Sequence, residues 1–137
     1  MLEMKVLNVA FFEQGGGFAV LLSDKDSKMI LPIFVGPLEA QSIVFALENQ
    51  SFPRPLTHDL MLNILNNYAI KLQKIVVSDI KDSTYFAQLF FTNNQNVISV
   101  IDSRPSDAIA LALRANCPIY MAPKLIEFTY KYEDIIN

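Results

Sequence analysis

Two stretches of the chain, residues 3–48 and 71–116, show the same order of hydrophobic patterns. Each has three segments with strand-like alternation, followed by a segment in which apolar residues recur at helical spacing. One ungapped shift of the chain onto itself aligns Val9 with Val77, Ile33 with Ile101 and Pro37 with Pro105. The shared order and phase predict an internal repeat. We therefore expect one α/β (α+β) domain, residues 1–137, in which two β-β-β-α units connected by residues 49–70 form a mixed or antiparallel sheet packed with helices.

The individual segments follow from alternation, helical spacing and turn residues. The predicted strands are 5–12, 18–22, 29–35, 71–79, 85–91, 97–101 and 118–121, and the predicted helices end near residues 48, 68 and 115. The glycines at positions 15–17 lack the Lys-Ser/Thr pair of a phosphate-binding loop and a following helix. They therefore predict a hairpin turn between the first two strands.

Composition limits the class of protein. Hydrophobic residues make up 52% of the chain and charged residues 18%, which indicates a thick core, an oligomer interface, or both. No apolar run approaches the roughly 20 residues of a membrane helix, and the N-terminal residues lack a signal-peptide pattern. The single cysteine, Cys117, lies in an apolar neighbourhood, which predicts an inert thiol in a reducing cytoplasm. We expect a cytoplasmic protein without membrane association.

The positive charges that could bind phosphate are concentrated in two motifs. A net charge of −3 argues against strong non-specific binding to nucleic acid. All arginines and the only histidine nevertheless fall within the motifs 54–59 and 102–114. Arginine suits bidentate contacts with carboxylates or phosphates, so these two motifs are the candidate functional regions.

The motif 102–114 begins where a predicted strand gives way to a helix. Pro105 and Asp107 have counterparts in the first repeat and suit the first turn of a helix, so we assign them mainly to the fold. Asp102, Arg104 and Ser106 have no such counterparts and are the stronger functional candidates. The helix that follows is apolar on nearly every side, which predicts burial either centrally or between subunits. We expect a homodimer.

These motifs resemble the bifunctional nuclease domain family. The resemblance rests on residues 31–36, 54–60, 84–87 and 102–114 and extends over most of the chain. It implies an intracellular α/β domain, often dimeric, with nuclease activity on RNA and DNA, but it does not name established catalytic residues. The order Tyr85-Phe86 departs from the more common order of these aromatics in the family.

A nuclease of this kind would need carboxylates for a metal ion, a general base and cations for the phosphate. The candidate catalytic residues are His58, Asp59, Asp102 and Asp107. The candidate substrate-binding residues are Arg54, Arg104, Ser106 and Thr57. Asp102, Asp107 and Glu39 are the candidate ligands for Mg²⁺ or Mn²⁺, whereas one histidine and one cysteine argue against zinc.

The same residues admit a structural interpretation. Thr57 and Ser106 are candidate helix caps, and Asp59 and Asp107 would complement helix dipoles. Arg54 and Arg104 would then bridge these acids across a duplicated core or a dimer interface. The sequence leaves two functions open. The first is a phosphodiesterase acting on RNA and DNA, and the second is a non-catalytic dimeric domain that recognises a nucleotide or a protein partner.

Overall fold

One mixed sheet of eight strands organises residues 1–136, the part of the chain that the computed structural model describes. The strands are β1 (Leu2–Phe12), β2 (Gly17–Asp24), β3 (Met29–Val35), β4 (Lys71–Lys81), β5 (Thr84–Thr92), β6 (Ile98–Ser103), β7 (Ile119–Met121) and β8 (Tyr130–Lys131). The helices are α1 (Pro37–Leu47), α2 (Thr57–Asn67), α3 (Pro105–Ala115), a 3-10 helix (Pro123–Phe128) and α4 (Tyr132–Ile136).

The strand order is β6-β5-β4-β7-β1-β2-β3-β8. Strands β1 to β3 form one antiparallel meander and β4 to β6 form another. Between them β7 pairs antiparallel with β1 and parallel with β4, which joins both meanders into one sheet. The predicted fold class is therefore confirmed. The order β-β-β-α occurs on each side of α2, and the descent of both segments from one repeated unit stays a prediction.

The triple glycine forms the turn between β1 and β2. Gly15 and Gly17 have φ angles of 87° and 77°, which residues with a side chain rarely adopt. These angles allow the tight reversal that brings Phe12 opposite Gly17. The predicted hairpin is confirmed.

Helices α1, α2 and α3 cover one face of the sheet, with α3 packed against the other two. Its segment Ala108–Ala112 is fully buried, since small alanines allow close approach of neighbouring elements. The apolar character of α3 is therefore explained by central burial within its own chain. Our expectation that this helix holds a dimer together loses its basis.

The opposite face is covered over β1 to β3 by the C-terminal residues. Tyr132 and Ile135 of α4 pack on Ala19, Leu21 and Ile30. The 3-10 helix, β8 and α4 were absent from our prediction because they are too short to produce a periodic pattern.

None of the helices in residues 1–136 has the length and apolarity needed to cross a bilayer.

Cys117 is partly buried. Burial raises the pKa of its thiol to about 11, so at neutral pH this side chain is a poorly reactive thiol, as its apolar neighbourhood predicts.

Candidate active site

The first turns of α1, α2 and α3 surround one open pocket of about 470 Å³. The backbone N–H groups at the start of a helix carry partial positive charge, so the helix termini favour an anionic ligand here. The side chains that line this pocket are Leu38, Glu39, Gln41, Ser42, Phe45, Leu56, Thr57, His58, Met61, Arg104 and Asp107. We call this cavity the candidate pocket.

His58 lies at the centre of the polar wall of this pocket. Its Nε2 is 2.9 Å from Oδ1 of Asp107, and its Nδ1 is 2.8 Å from Oγ of Ser42. The side chain is only 11% exposed. These contacts connect α1, α2 and α3 through one imidazole, which fixes the orientation of the ring.

The protonation pattern of His58 follows from the chemistry of its partners. An ionised carboxylate can only accept hydrogen bonds, so the N–H at Nε2 donates a hydrogen bond to Asp107. In the neutral imidazole Nδ1 is then the acceptor, and the hydroxyl of Ser42 donates to it. This tautomer presents a basic nitrogen to the serine.

Asp107 is held by a second partner, Arg104. The Nε of Arg104 donates to Oδ2 of Asp107 over 2.8 Å, and its Nη1 lies 3.4 Å from Oε2 of Glu39. Partial burial raises the pKa of Asp107, but the hydrogen bonds from Arg104 and His58 outweigh this effect and hold the pKa below its ordinary value. Asp107 is therefore ionised at neutral pH, as the tautomer of His58 requires.

Arg104 itself faces the solvent. Its side chain is 62% exposed, and the hydrogen bond to Asp107 raises its pKa. A guanidinium group has five N–H donors, so donors beyond those used by Asp107 and Glu39 are available to a phosphate at the pocket entrance.

Asp59 is placed in a different cluster. Its Oδ1 accepts from Nε of Arg114 over 2.8 Å, and its Oδ2 accepts from the backbone N–H of Leu56. Arg114, whose side chain is 9% exposed, also donates to the carbonyl oxygens of Ala110 and Ser42. We call this set the Arg114 clamp. It ties α1, α2 and α3 together.

Asp102 is also separated from His58. In the β5–β6 pairing Asp102 lies opposite Gln88, whereas Ile101 lies opposite Leu89. Directly paired residues share a face of the sheet, and Leu89 belongs to the helix-covered core. The side chain of Asp102 therefore lies on the other face of the sheet, and the structure does not bring it to the candidate pocket.

The remaining predicted residues occupy the surroundings of the pocket. Thr57 lines it but is the first helical residue of α2, because the N-cap is Leu56 and not Thr57 as predicted. Ser106 is buried and lines a neighbouring cavity of about 480 Å³, which shares Glu39 and Arg104 with the candidate pocket. The N-cap position of α3 is occupied by Arg104, so the predicted capping role of Ser106 is wrong. Arg54 is exposed on the connection between α1 and α2.

Comparison with known proteins identifies the family of this chain. The sequence model that defines the bifunctional nuclease domain matches residues 20–132. The chain belongs to the bifunctional nuclease domain family. An uncharacterized protein of Mycobacterium tuberculosis is 32% identical over 119 residues, which cover 87% of this chain and 70% of the relative.

Plant relatives in this family carry a functional name. Bifunctional nuclease 1 of Arabidopsis thaliana is 28% identical over 102 residues, and Bifunctional nuclease 1 of Oryza sativa subsp. japonica is 27% identical over 103 residues. In each case the match covers 73% of this chain but 31% of the plant protein. These names describe a nuclease function of the plant proteins themselves.

The carboxylates do not form the metal site that we predicted within this family domain. Asp102 lies on the far face of the sheet, and Glu39 and Asp107 both contact the guanidinium of Arg104. Within residues 1–136 no group of three or more His, Cys, Asp and Glu side chains is arranged to hold a metal ion. The set Asp102, Asp107 and Glu39 does not fit Mg²⁺ or Mn²⁺, which need several converging oxygen ligands.

Sequence reasoning gave no role to Ser42 and Arg114, although both contact the predicted site residues. Ser42 follows Glu39 by three positions on α1, a spacing that places both side chains on one helix face. That spacing is the sequence feature that could have identified Ser42 as a site residue. Arg114 gave no comparable signal, because its partner Asp59 is distant in sequence.

Proposed function

We propose that this protein hydrolyses phosphodiester bonds of RNA and DNA in the candidate pocket. The observation that carries the proposal is the chain of hydrogen bonds from Asp107 through His58 to Ser42, beside the exposed Arg104. Membership of the bifunctional nuclease domain family supports the same chemistry.

Each side chain has a definite part in this proposal. Asp107 keeps the proton of His58 on Nε2, so Nδ1 can accept a proton from an attacking hydroxyl group. Arg104 donates hydrogen bonds to the non-bridging phosphate oxygens and balances the charge that grows on them. Glu39 and Asp107 hold the guanidinium at the edge of the pocket where these contacts form.

The direct test is cleavage of labelled single-stranded RNA and DNA by the purified protein. Reactions with Mg²⁺, with Mn²⁺ and with EDTA separate a metal-dependent activity from one that needs protein groups alone. We expect cleavage of both substrates, retained in EDTA, because the described carboxylates do not form a metal site. Complete absence of cleavage under all three conditions would contradict the proposal and favour a non-catalytic domain that binds a nucleotide or a protein partner.

We further propose that the protein forms a homodimer through β6. This strand lies at one edge of the sheet, and its residues Ile98, Val100 and Ile101 are 60%, 49% and 51% exposed. An edge strand has unpaired backbone N–H and C=O groups, and antiparallel pairing with the same strand of a second copy would satisfy them around a two-fold axis. An apolar groove between α2 and β6, lined by Met61, Ile64 and Ile101, extends this surface.

We expect Val100→Lys to shift the protein from dimer to monomer, because a lysine at a sheet edge opposes pairing with a second strand. Sedimentation analysis at micromolar concentration measures this change. Phe11→Lys, at a similarly exposed apolar position on β1, is the matched control and should stay dimeric. A monomeric wild-type protein, or a Val100→Lys variant that stays dimeric, would contradict the proposed interface.

A further inference from the structure

The hydroxyl group of Ser42 points at the histidine and not along its own helix. A serine inside a helix often donates to the carbonyl four residues earlier, which slightly destabilises the helix. In α1 the Oγ of Ser42 instead lies 2.8 Å from Nδ1 of His58, on a different helix. The backbone carbonyl of the same residue is held by Arg114. Ser42 is thus fixed at both its main chain and its side chain.

The three side chains Ser42, His58 and Asp107 have the relations that activate a serine nucleophile. Such a site needs a base within hydrogen-bond reach of the hydroxyl and a third group that orients the base. The distances of 2.8 Å and 2.9 Å on the two sides of the imidazole meet both conditions. Ser42 is hydrogen-bonded to Nδ1 and Asp107 to Nε2. Either ring nitrogen of an imidazole can be the donor or the acceptor, so this arrangement can activate the serine as well as the reverse arrangement could.

We propose that Ser42 is the nucleophile of this pocket and that it attacks phosphorus to form a covalent phosphoserine ester. This inference rests on the proposed function, because it names the attacking atom in the same site. Oγ of Ser42 forms a bond to phosphorus while its proton passes to Nδ1 of His58. The bond from phosphorus to the leaving ester oxygen breaks, and that oxygen takes the proton from the imidazolium ring.

A water molecule completes the reaction. Nδ1 of His58 accepts one proton of the water, whose oxygen bonds to phosphorus. The bond between phosphorus and Oγ breaks, and the proton on His58 returns to Ser42. The sum is one phosphodiester and one water converted into one alcohol and one phosphomonoester. Asp107 keeps Nε2 protonated throughout, and Arg104 neutralises the phosphate oxygens.

The test is covalent labelling with a fluorophosphonate, an electrophile whose fluoride is displaced from phosphorus by an activated serine. Intact mass and peptide mass spectrometry give the stoichiometry and the position of the label. We expect one label per chain on Ser42, none in Ser42→Ala, and at least tenfold slower labelling in His58→Gln. Ser51→Ala removes an exposed serine on the connection between α1 and α2 and should label like the wild type.

Labelling and nucleic-acid cleavage distinguish the two proposals. If the wild-type protein is labelled at Ser42 but cuts neither RNA nor DNA, the nucleophile assignment stands and the proposed substrate fails. If Ser42→Ala cleaves nucleic acid at the wild-type rate, or the wild type is not labelled at Ser42, the nucleophile assignment is overturned. In that case His58 would act on a water molecule, and the proposed function would survive.

Discussion

Replacing His58 with glutamine is expected to lower the rate of nucleic-acid cleavage by about a hundredfold or more, the usual contribution of a general base. The amide of glutamine can still form hydrogen bonds, but it cannot accept a proton from Ser42 at neutral pH. The measurement is the initial rate of cleavage of a labelled single-stranded RNA.

The control for His58→Gln is Asn63→Gln, an exposed position on the same helix, which should retain the wild-type rate. Circular dichroism of both variants separates a chemical effect from unfolding, since His58 also connects three helices. A folded His58→Gln protein that cleaves at the wild-type rate would show that His58 takes no part in the cleavage reaction.

Replacing Arg114 with methionine is expected to lower the free energy of unfolding by about 2–3 kcal/mol. The side chain of Arg114 is 9% exposed, and its loss removes one donor from Oδ1 of Asp59 and one from each of two carbonyl oxygens. We place the effect below that of a fully buried ion pair because Asp59 is 39% exposed and can be hydrated. Urea unfolding monitored by circular dichroism measures the change.

The matched control for Arg114→Met is Arg54→Met. Arg54 is exposed, and exposed substitutions of this kind usually change the unfolding free energy by less than about 0.5 kcal/mol. Equal stability of the two variants would show that the Arg114 clamp does not hold the three helices together.

The fold could be predicted from the sequence because most of its elements are periodic and have clear ends. β3 begins and ends at the predicted residues, and α2 and α3 end within a residue of the prediction. The position of α3 was harder to predict from the sequence, because an apolar helix is equally compatible with a central and an intersubunit location. Only the packing of α1 and α2 on either side decides between them.

The candidate site could be predicted in part. His58, Asp107 and Arg104 come from two motifs and do meet in one pocket. The sequence could not separate Asp107 from Asp59, since both lie in the first turn of a helix with an arginine within reach. It also could not reveal the face on which Asp102 lies, because that depends on the register of the β5–β6 pair.

The central claim is that the pocket at the start of the three helices carries out the cleavage. The most direct measurement compares the rates at which Asp107→Asn and Asp102→Asn cleave single-stranded RNA. We predict a loss of about a hundredfold or more for Asp107→Asn, which removes the charge that orients His58, and a rate near that of the wild type for Asp102→Asn. A wild-type rate for Asp107→Asn together with an inactive Asp102→Asn would contradict the claim and place the chemistry on the other face of the sheet.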